Sequence, residues 1–335
     1  MQPVVLGSNM PEQFYRGAGR IARLRGDDAP VDRPEDWLGS ATSRSGMAPD
    51  GITRLPDGVL LTDAIAADPV GWLGSEHVAV YGANPALLVK LLDAGQRLPL
   101  HVHPDRGFAA EHLASPFGKT EAWIVLDAEP DAAVHLGFSR DIESAELAQW
   151  VREQDVAAML GVTNRVPVAA GDAVLCPAGT PHAIDSGILI VELQEPTDFS
   201  VLLEWSGFMP DPEGTTLGLP MDEALGCVHR GAWSLERLAS LRGRPLTQAA
   251  GSLLPAEADP FFVAERVGEP GARQFPASYA ILVVTAGTGA LLPESGPPVS
   301  VSKGTAVLIP YAAGSCSLSG NVQAIRCHPP RPGDH

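Results

Sequence analysis

Two histidines stand one residue apart in the segment GQRLPLHVHP, residues 95–104. His101 and His103 follow an apolar run typical of a β-strand, and residues i and i+2 of a strand project from the same face. Two imidazoles held in this way can bind one divalent metal ion. Each can equally be a half-buried side chain with a hydrogen bond of its own. The spacing alone leaves both interpretations open.

The composition limits the class of protein and its partners. A chain of 335 residues, with 45% hydrophobic and 19% charged residues, can form two folded domains. The net charge of −17 argues against nucleic acid and anionic membranes as partners. The sequence has no apolar run long enough to span a bilayer, no N-terminal signal peptide and no CxxC pair. We therefore expect a cytoplasmic protein; the sequence predicts no oligomeric state.

The elements that must position the histidines are mostly strands. Segments rich in β-branched and aromatic residues, bounded by Gly and Pro, predict strands at 98–104, at 121–128 and three times within 165–196. Residues 85–96 are a buried strand or a short helix. Residues 142–161 have helical spacing, and a second helical stretch runs to about residue 242. The fold class that follows is mainly β with a small number of helices.

A weak internal repeat suggests how the strands are arranged. GDAVLCPAG (171–179) and GTAVLIPYAAG (304–314) share the pattern G-x-A-V-L-x-P, which predicts two related β-barrels. The first copy continues to His182, whereas the second reaches Ser315 and Cys316 where a histidine would be expected. We therefore expect a metal-binding domain with a helical insertion over 1–242, and a degenerate barrel without metal over 243–335.

The spacing of the histidines resembles the two motifs of the cupin superfamily. From Gly95 the chain has G-x5-H-x-H, and from Gly171 it has G-x5-P-x-G-x2-H. The long excursion DRGFAAEHLASPFGKTE before Glu121 is similar to that of the type I phosphomannose isomerases. Further segments occur in that family's order within residues 85–200, namely LLVKLLDA, LHVHPDRGFA, GKTEAWIVLDA, NRVPVAAGDAVLCPAGTPHAI and VELQEPTD.

The resemblance implies a fold of two cupin-type β-barrels and one divalent metal ion. The ligands that it implies are His101, His103, Glu121 and His182. Members of the family usually have glutamine where this chain has His101, so this site is richer in imidazole. Three imidazoles and one carboxylate suit Zn²⁺ best, and Fe²⁺, Mn²⁺, Co²⁺ or Ni²⁺ less exclusively.

The activity that the resemblance implies is metal-dependent isomerisation of an aldose to a ketose, with a sugar or sugar phosphate as substrate. One proton moves between C1 and C2 through a cis-enediol. Lys90, Lys119 and Glu192 match active-site positions of the family. On an extended backbone Lys119 shares the face of Glu121. Lys90 could instead be a lysine whose ammonium reaches the surface, and Glu192 a solvated carboxylate at a strand end.

Two positions depart from the family's pattern. Leu202 aligns with an arginine, and Pro99 with a serine that is tied to phosphate recognition. Together these changes remove two groups suited to a phosphate dianion. Either another basic residue has taken over, for which Arg106, Arg140 and Arg165 are available, or the substrate is not the usual phosphosugar. We expect a changed or broadened substrate.

Two other functions fit part of the pattern. A non-catalytic metal- and sugar-binding cupin would keep the ligands without turnover, and Leu202 favours it. A cupin oxygenase would need redox-active iron with open coordination sites. The presence of Lys119 and Glu192 favours the isomerase.

Overall fold

The computed structural model describes residues 1–26, 30–44, 47–247, 251–269 and 273–330. Their strands form four antiparallel sheets, which pack face to face in two pairs. Strands and helices are numbered below in chain order. The prediction of a mainly β fold is confirmed.

The first pair of sheets carries the predicted site. One sheet has, in spatial order, β2 (Glu35–Leu38), β3 (Leu88–Ala94), β10 (Ile188–Gln194), β5 (Glu121–Ala128) and β8 (Ala173–Cys176). The facing sheet has β11 (Val201–Leu202), β4 (His101–Val102), β9 (His182–Ile184), β6 (Ala133–Phe138) and β7 (Thr163–Pro167). Residues 85–96 thus contain a strand, and of the strand predicted at 98–104 only His101 and Val102 form a regular strand, β4.

The second pair of sheets lies mainly in the C-terminal part of the chain. One sheet has the order β1 (Val4–Val5), β17 (Ala306–Ile309), β14 (Ala280–Ala286), β19 (Gln323–His328) and β12 (Val263–Gly268). The other has β13 (Gln274–Phe275), β18 (Cys316–Gly320), β15 (Thr288–Pro293) and β16 (Val299–Ser302).

The helices of the described residues are short and lie outside the sheets. They are α1 (Arg20–Arg25), α2 (Leu61–Ala67), α3 (Pro69–Leu73), α4 (Ser75–Tyr81), α5 (Arg106–His112), α6 (Ser144–Glu153), α7 (Val156–Gly161), α8 (Met221–Ala224) and α9 (Leu235–Ser240). The expectation of one helix over 142–161 is wrong. Gln154 adopts φ of 52°, which ends α6, and the side chain of Asp155 then caps α7 by accepting a hydrogen bond from the backbone N–H of Ala158.

Three clusters of buried apolar side chains hold these layers together. The largest joins the two sheets of the first pair, for example through Val134 and Ile190, and continues to Ile281 of the second pair. Another packs α6 and α7 against the outer face of the β4 sheet through Leu147 and Met159. The third fills the space between the two C-terminal sheets. Helices α6 and α7 therefore support the sheet that carries His101 and His182.

The internal repeat occupies corresponding places in the two pairs of sheets. Its A-V-L-x core forms β8 in the first copy and β17 in the second, and both follow a glycine with positive φ, Gly171 at 96° and Gly304 at 88°. β8 pairs with β5, and β17 pairs in the same way with β14. The two pairs of sheets therefore share the same strand pairing around the repeat.

The proposed division into residues 1–242 and 243–335 stays a prediction. Val4 and Val5 pair with β17 of the C-terminal sheets, and the backbone N–H of Gly243 donates to the carbonyl oxygen of Ala173 in β8. Residues 248–250, 270–272 and 331–335 of the second range lie outside the described residues.

None of the helices in the described ranges has the length and apolar composition that crossing a membrane requires.

Candidate metal centre and active site

Two neighbouring strands of one sheet bring three of the predicted ligands together. His101 of β4 lies directly opposite His182 of β9, and their ring centroids are 4.0 Å apart. His103 follows β4 immediately, and its ring centroid is 4.9 Å from that of each of the other two imidazoles. One nitrogen from each ring lies within 4.8 Å of the others. Their separation is small enough for one metal ion to bind all three.

Each of these imidazoles is oriented by a backbone carbonyl. Nδ1 of His101 contacts the carbonyl oxygen of Pro99 at 2.8 Å, and Nδ1 of His182 contacts that of Thr180 at 2.8 Å. Nδ1 of His103 contacts the carbonyl oxygen of Phe199 at 2.6 Å. A carbonyl can only accept a hydrogen bond, so Nδ1 carries the proton and Nε2 keeps its lone pair. This is the arrangement in which metal-binding histidines are usually held.

Glu121 completes the cluster from the opposite sheet. Its Oε2 lies 3.1 Å from Nε2 of His103, and its Oε1 lies 3.2 Å from Nε2 of His182. Both Nε2 atoms are buried without a hydrogen-bond partner, although a buried polar atom normally has one. A divalent cation between the three Nε2 atoms and the carboxylate would satisfy these atoms, so the residues fit the predicted metal.

Two of the buried imidazoles, those of His101 and His103, are in the protonation state that binds metals. Burial, reinforced by the charge of Lys119, lowers the pKa of His103 to about 3, against the opposite effect of Glu121. Burial and the neighbouring imidazoles hold the pKa of His101 well below its usual range. Both side chains are therefore neutral at physiological pH.

Close packing places Glu121 at the start of β5. A side chain at Gly118 would put a Cβ atom 2.6 Å from the carbonyl oxygen of Pro104, so only glycine fits there. Glu195 forms hydrogen bonds with both ends of the segment 104–120, which separates His103 from β5. One of its carboxylate oxygens accepts from Nε of Arg106 at 2.6 Å and the other from the backbone N–H of Thr120 at 3.0 Å.

A cavity of about 390 Å³ opens beside this cluster. His101 and Glu121 lie in its wall, together with all three residues predicted to be catalytic, Lys90, Lys119 and Glu192. The same cavity is lined by polar and apolar groups from other parts of the chain, including Tyr15, Glu35, Leu92, Leu98, Ile184, Asp198, Ser200, Leu202 and Leu217. The structure thus gathers every predicted site residue at or beside one cavity.

Lys90 lies in a row of side chains across the sheet. Trp37 of β2 and Glu192 of β10 are its cross-strand neighbours, and its ammonium lies 4.7 Å from the centre of the Trp37 ring. Nζ of Lys90 is 3.4 Å from Oε2 of Glu35 and 3.7 Å from Oε1 of Glu192. Its side chain is only 2% exposed, so the ammonium does not reach the surface.

The charges around Lys90 are strongly coupled. Burial would lower the pKa of Lys90, but Glu35 and Glu192 raise it above its ordinary value, so the side chain stays charged. For Glu192 burial is the largest influence, and with the charge of Glu121 it raises the pKa to about 8 in spite of Lys90. Glu192 is therefore a buried carboxyl group that can hold a proton near neutral pH.

Lys119 stands between the cavity and the cluster. Its Nζ lies 3.9 Å from Oε2 of Glu121, and the side chain is buried. The expectation that Lys119 shares the face of Glu121 agrees with this contact.

The sequence interpretation missed several residues of the site. Glu35 accepts hydrogen bonds from Tyr15, from Nε1 of Trp37 at 2.6 Å and from Nε2 of Gln13 at 2.8 Å. The alternation of Glu35 and Trp37 could have indicated a strand face, but nothing local places that face beside Lys90. Sequence reasoning also missed Cys176, which pairs with Glu121 across the sheet and lies near the cluster.

The two departures from the family's pattern both lie in the cavity wall. Leu202 is the cross-strand neighbour of His101, and Pro99 supplies the carbonyl that orients His101. The arginines considered as replacements lie elsewhere. Arg106 binds Glu195, Arg140 binds Glu146 and Arg165 contacts Asp185, and the part of the chain that the structure describes places none of the three in the cavity.

The C-terminal barrel has different residues at the corresponding positions. Phe275 of β13 pairs with Cys316 of β18, as His101 pairs with His182 in the first barrel. Ala280 begins β14, as Glu121 begins β5. Among the residues that the structure describes, the groups with metal-binding geometry all belong to the first barrel.

The chain is similar in sequence and in fold to known isomerases, although no protein-family model matches it. A mannose-6-phosphate isomerase of Streptococcus mutans is 28% identical over 98% of both chains, and the mannose-6-phosphate isomerase ManA of Bacillus subtilis is 28% identical over 72% of this chain and 74% of its own length. A crystal structure of mannose 6-phosphate isomerase from B. subtilis superposes with a TM-score of 0.74 at 22% identity, covering 98% of this chain and 100% of that one.

The structural match establishes the fold, and the sequence matches extend the likeness beyond the quoted motifs. The predicted resemblance to the type I phosphomannose isomerases of the cupin superfamily is therefore confirmed, and it covers nearly the whole chain.

Proposed function

We propose that this protein is a metal-dependent aldose–ketose isomerase that acts on a sugar of the mannose–fructose type. The observation that carries the proposal is the joint placement of two sets of groups. Three imidazoles and one carboxylate meet at a cavity, and two of the imidazoles have buried Nε2 atoms without a hydrogen-bond partner. Two lysines and a second buried glutamate line the same cavity. Relatives named mannose-6-phosphate isomerase support this activity over simple sugar binding.

The ligands proposed for the metal are His101, His103, Glu121 and His182. Three imidazoles and one carboxylate are a donor set that favours Zn²⁺. When bound, a divalent cation would supply Lewis acidity toward the oxygens on C1 and C2 of the sugar.

Glu192 is the residue proposed to move the proton between C1 and C2. It lies in the cavity wall, it is 3% exposed, and burial raises its pKa to about 8. A group with a pKa near the working pH can both take and return a proton. A buried position also keeps water away from the proton during the transfer.

The two lysines are proposed to stabilise negative charge that develops on the substrate oxygens. Lys90 stays protonated between Glu35 and Glu192, which suits it to this role and not to that of a base. Lys119 presents its ammonium to the same cavity beside Glu121.

Proton transfer in deuterated water tests the proposal. Mannose, glucose and their 6-phosphates are incubated with the metal-loaded protein, and ketose and deuterium at C1 and C2 are followed by NMR. We expect ketose from at least one of these substrates and a loss of about a hundredfold or more in kcat for Glu192→Gln. Glu12→Gln, at an exposed site, is the matched control. Ketose formation by Glu192→Gln at the wild-type rate would exclude the role of Glu192, and oxygen consumption without ketose would favour an oxygenase.

A further inference from the structure

The cavity must accommodate whatever group the sugar carries at C6. This inference concerns that group and rests on the proposed function. C6 lies at the opposite end of a hexose from C1 and C2. A phosphate there needs positively charged donors of its own, separate from the groups at the metal, because an unpaired buried dianion is strongly destabilising.

The positive charges in the cavity wall are outnumbered and already paired. Two ammonium groups, those of Lys90 and Lys119, face four carboxyl groups, which belong to Glu35, Glu121, Glu192 and Asp198. Lys90 lies between two of these carboxyl groups, at 3.4 and 3.7 Å, and Lys119 lies 3.9 Å from a third. No arginine of the described residues lines the cavity. A phosphate would thus have to displace an existing carboxylate partner.

The two arginines that are close to the metal-binding histidines in the sequence form ion pairs outside the cavity. Arg97, four residues before His101, forms a two-point contact with Glu204, at 2.6 Å for each hydrogen bond. Arg106, three residues after His103, is held by Glu195 and stacks on the ring of Phe261 with its guanidinium carbon 4.7 Å from the ring centre. Both are fixed in place by contacts of the fold.

Apolar groups take much of the remaining wall. Leu202 lies next to His101 across β11 and β4, and Leu98, Ile184 and Leu217 line the same cavity. Aliphatic surface packs well against the carbon-bound hydrogens of a sugar and offers no hydrogen bond to a phosphate oxygen.

We propose that the cavity takes uncharged sugars in preference to sugar phosphates. The C6 hydroxyl of a free sugar loses little free energy when it enters a cavity with such a wall. A phosphate dianion would lose its hydration there without gaining a charged partner.

Calorimetry that does not depend on turnover tests the preference. Mannose, mannose-6-phosphate, fructose, fructose-6-phosphate and inorganic phosphate are titrated into the metal-loaded protein in a phosphate-free buffer. We expect each phosphate ester to bind more weakly than its free sugar, by about threefold or more, and inorganic phosphate to give no saturable heat. Binding of the esters as tight as or tighter than that of the free sugars, or saturable binding of inorganic phosphate, would overturn the inference and leave the isomerase proposal intact. Absence of ketose from every substrate would instead count against the isomerase proposal alone.

A gain of charge at Leu202 provides the second test. Leu202→Arg places an unpaired guanidinium in the cavity wall, and Leu202→Met changes the shape without charge. We expect Leu202→Arg to shift the affinity ratio of mannose-6-phosphate to mannose by about tenfold or more toward the ester, and Leu202→Met to shift it less than about threefold. If the native cavity already held a phosphate clamp, Leu202→Arg would leave the ratio within about threefold of the wild-type value, and the inference would fail.

Discussion

Lys90 and Glu35 form a buried ion pair between neighbouring strands, with Nζ of Lys90 3.4 Å from Oε2 of Glu35. Burial opposes ionisation of Glu35, but Lys90 and the hydrogen bonds from Tyr15 and Trp37 lower its pKa. The two charges therefore exist together in the interior. Each charge stabilises the ionised form of the other.

Removal of the negative charge at this pair is expected to destabilise the protein. In Glu35→Gln, Lys90 keeps Glu192 as a partner but loses the nearer carboxylate, so we expect the free energy of unfolding to fall by about 2 kcal/mol. Urea denaturation measures the change. Glu12→Gln removes a carboxylate that is 77% exposed and should change the same quantity by less than about 0.5 kcal/mol. Equal stability of the two variants would show that the buried pair contributes nothing.

Metal content is expected to depend on the histidines that face each other across β4 and β9. The purified protein should carry one metal ion per chain, and His101→Ala and His182→Ala should each weaken metal binding by about a hundredfold or more. His112→Ala is the control, because His112 contacts Glu223 outside the cluster. Full occupancy of both site variants by elemental analysis would contradict the ligand assignment.

The C-terminal barrel is expected to hold no metal. Phe275, Ala280 and Cys316 occupy the positions that correspond to His101, Glu121 and His182. Of these three side chains only the thiol of Cys316 can bind Zn²⁺, and a single thiol does not make a zinc site. Anomalous scattering from crystals of the metal-loaded protein should show one peak per chain. A second peak close to Cys316 would refute the assignment of a structural role to this barrel.

A carboxylate of the C-terminal barrel should make stability depend on pH in acid. The contacts of Glu265 with His328 and with Arg326, at 3.8 and 2.6 Å, lower its pKa to about 2, although burial opposes this. A folded-state pKa below the unfolded value means that the stabilisation is complete above about pH 5 and is lost as the pH falls toward 2. Because the carboxylate is partly exposed, we expect on the order of 1 kcal/mol from this group.

Comparison of two proteins isolates that contribution. Free energies of unfolding are measured between pH 2.5 and 7 for the wild type and for Glu265→Gln, and the difference between them should shrink as the pH falls. A difference that stays constant over this range would show that Glu265 titrates alike in the folded and unfolded states.

The candidate ligands could be proposed from the sequence because the resemblance that implies them rests on local motifs. His101 and His103 lie on one short segment, and His182 ends a motif that begins at Gly171. Glu35 and Tyr15 could not be found in this way. They reach Lys90 only through the pairing of β2 with β3, which joins residues more than fifty positions apart.

For Lys90 and Glu192 the sequence left a surface position open, and the structure shows that both side chains are buried. The interior position of Lys90 depends on Trp37, Glu35 and Glu192, which come from two other strands, and an apolar run around a lysine does not reveal them. The helix expected over 142–161 failed for a different reason. Its apolar spacing continues through Gln154, where the backbone turns left-handed and a new helix begins.

Titration of the metal-free protein with Zn²⁺ tests the central claim most directly. The rate of ketose formation from the best aldose substrate is measured against the number of Zn²⁺ equivalents per chain. We predict a rate that rises in proportion to the metal and reaches its plateau at about one equivalent, since one cluster of ligands serves one cavity. A rate that is already maximal without metal, or the absence of ketose at every ratio with each of the sugars and sugar phosphates, would contradict the account.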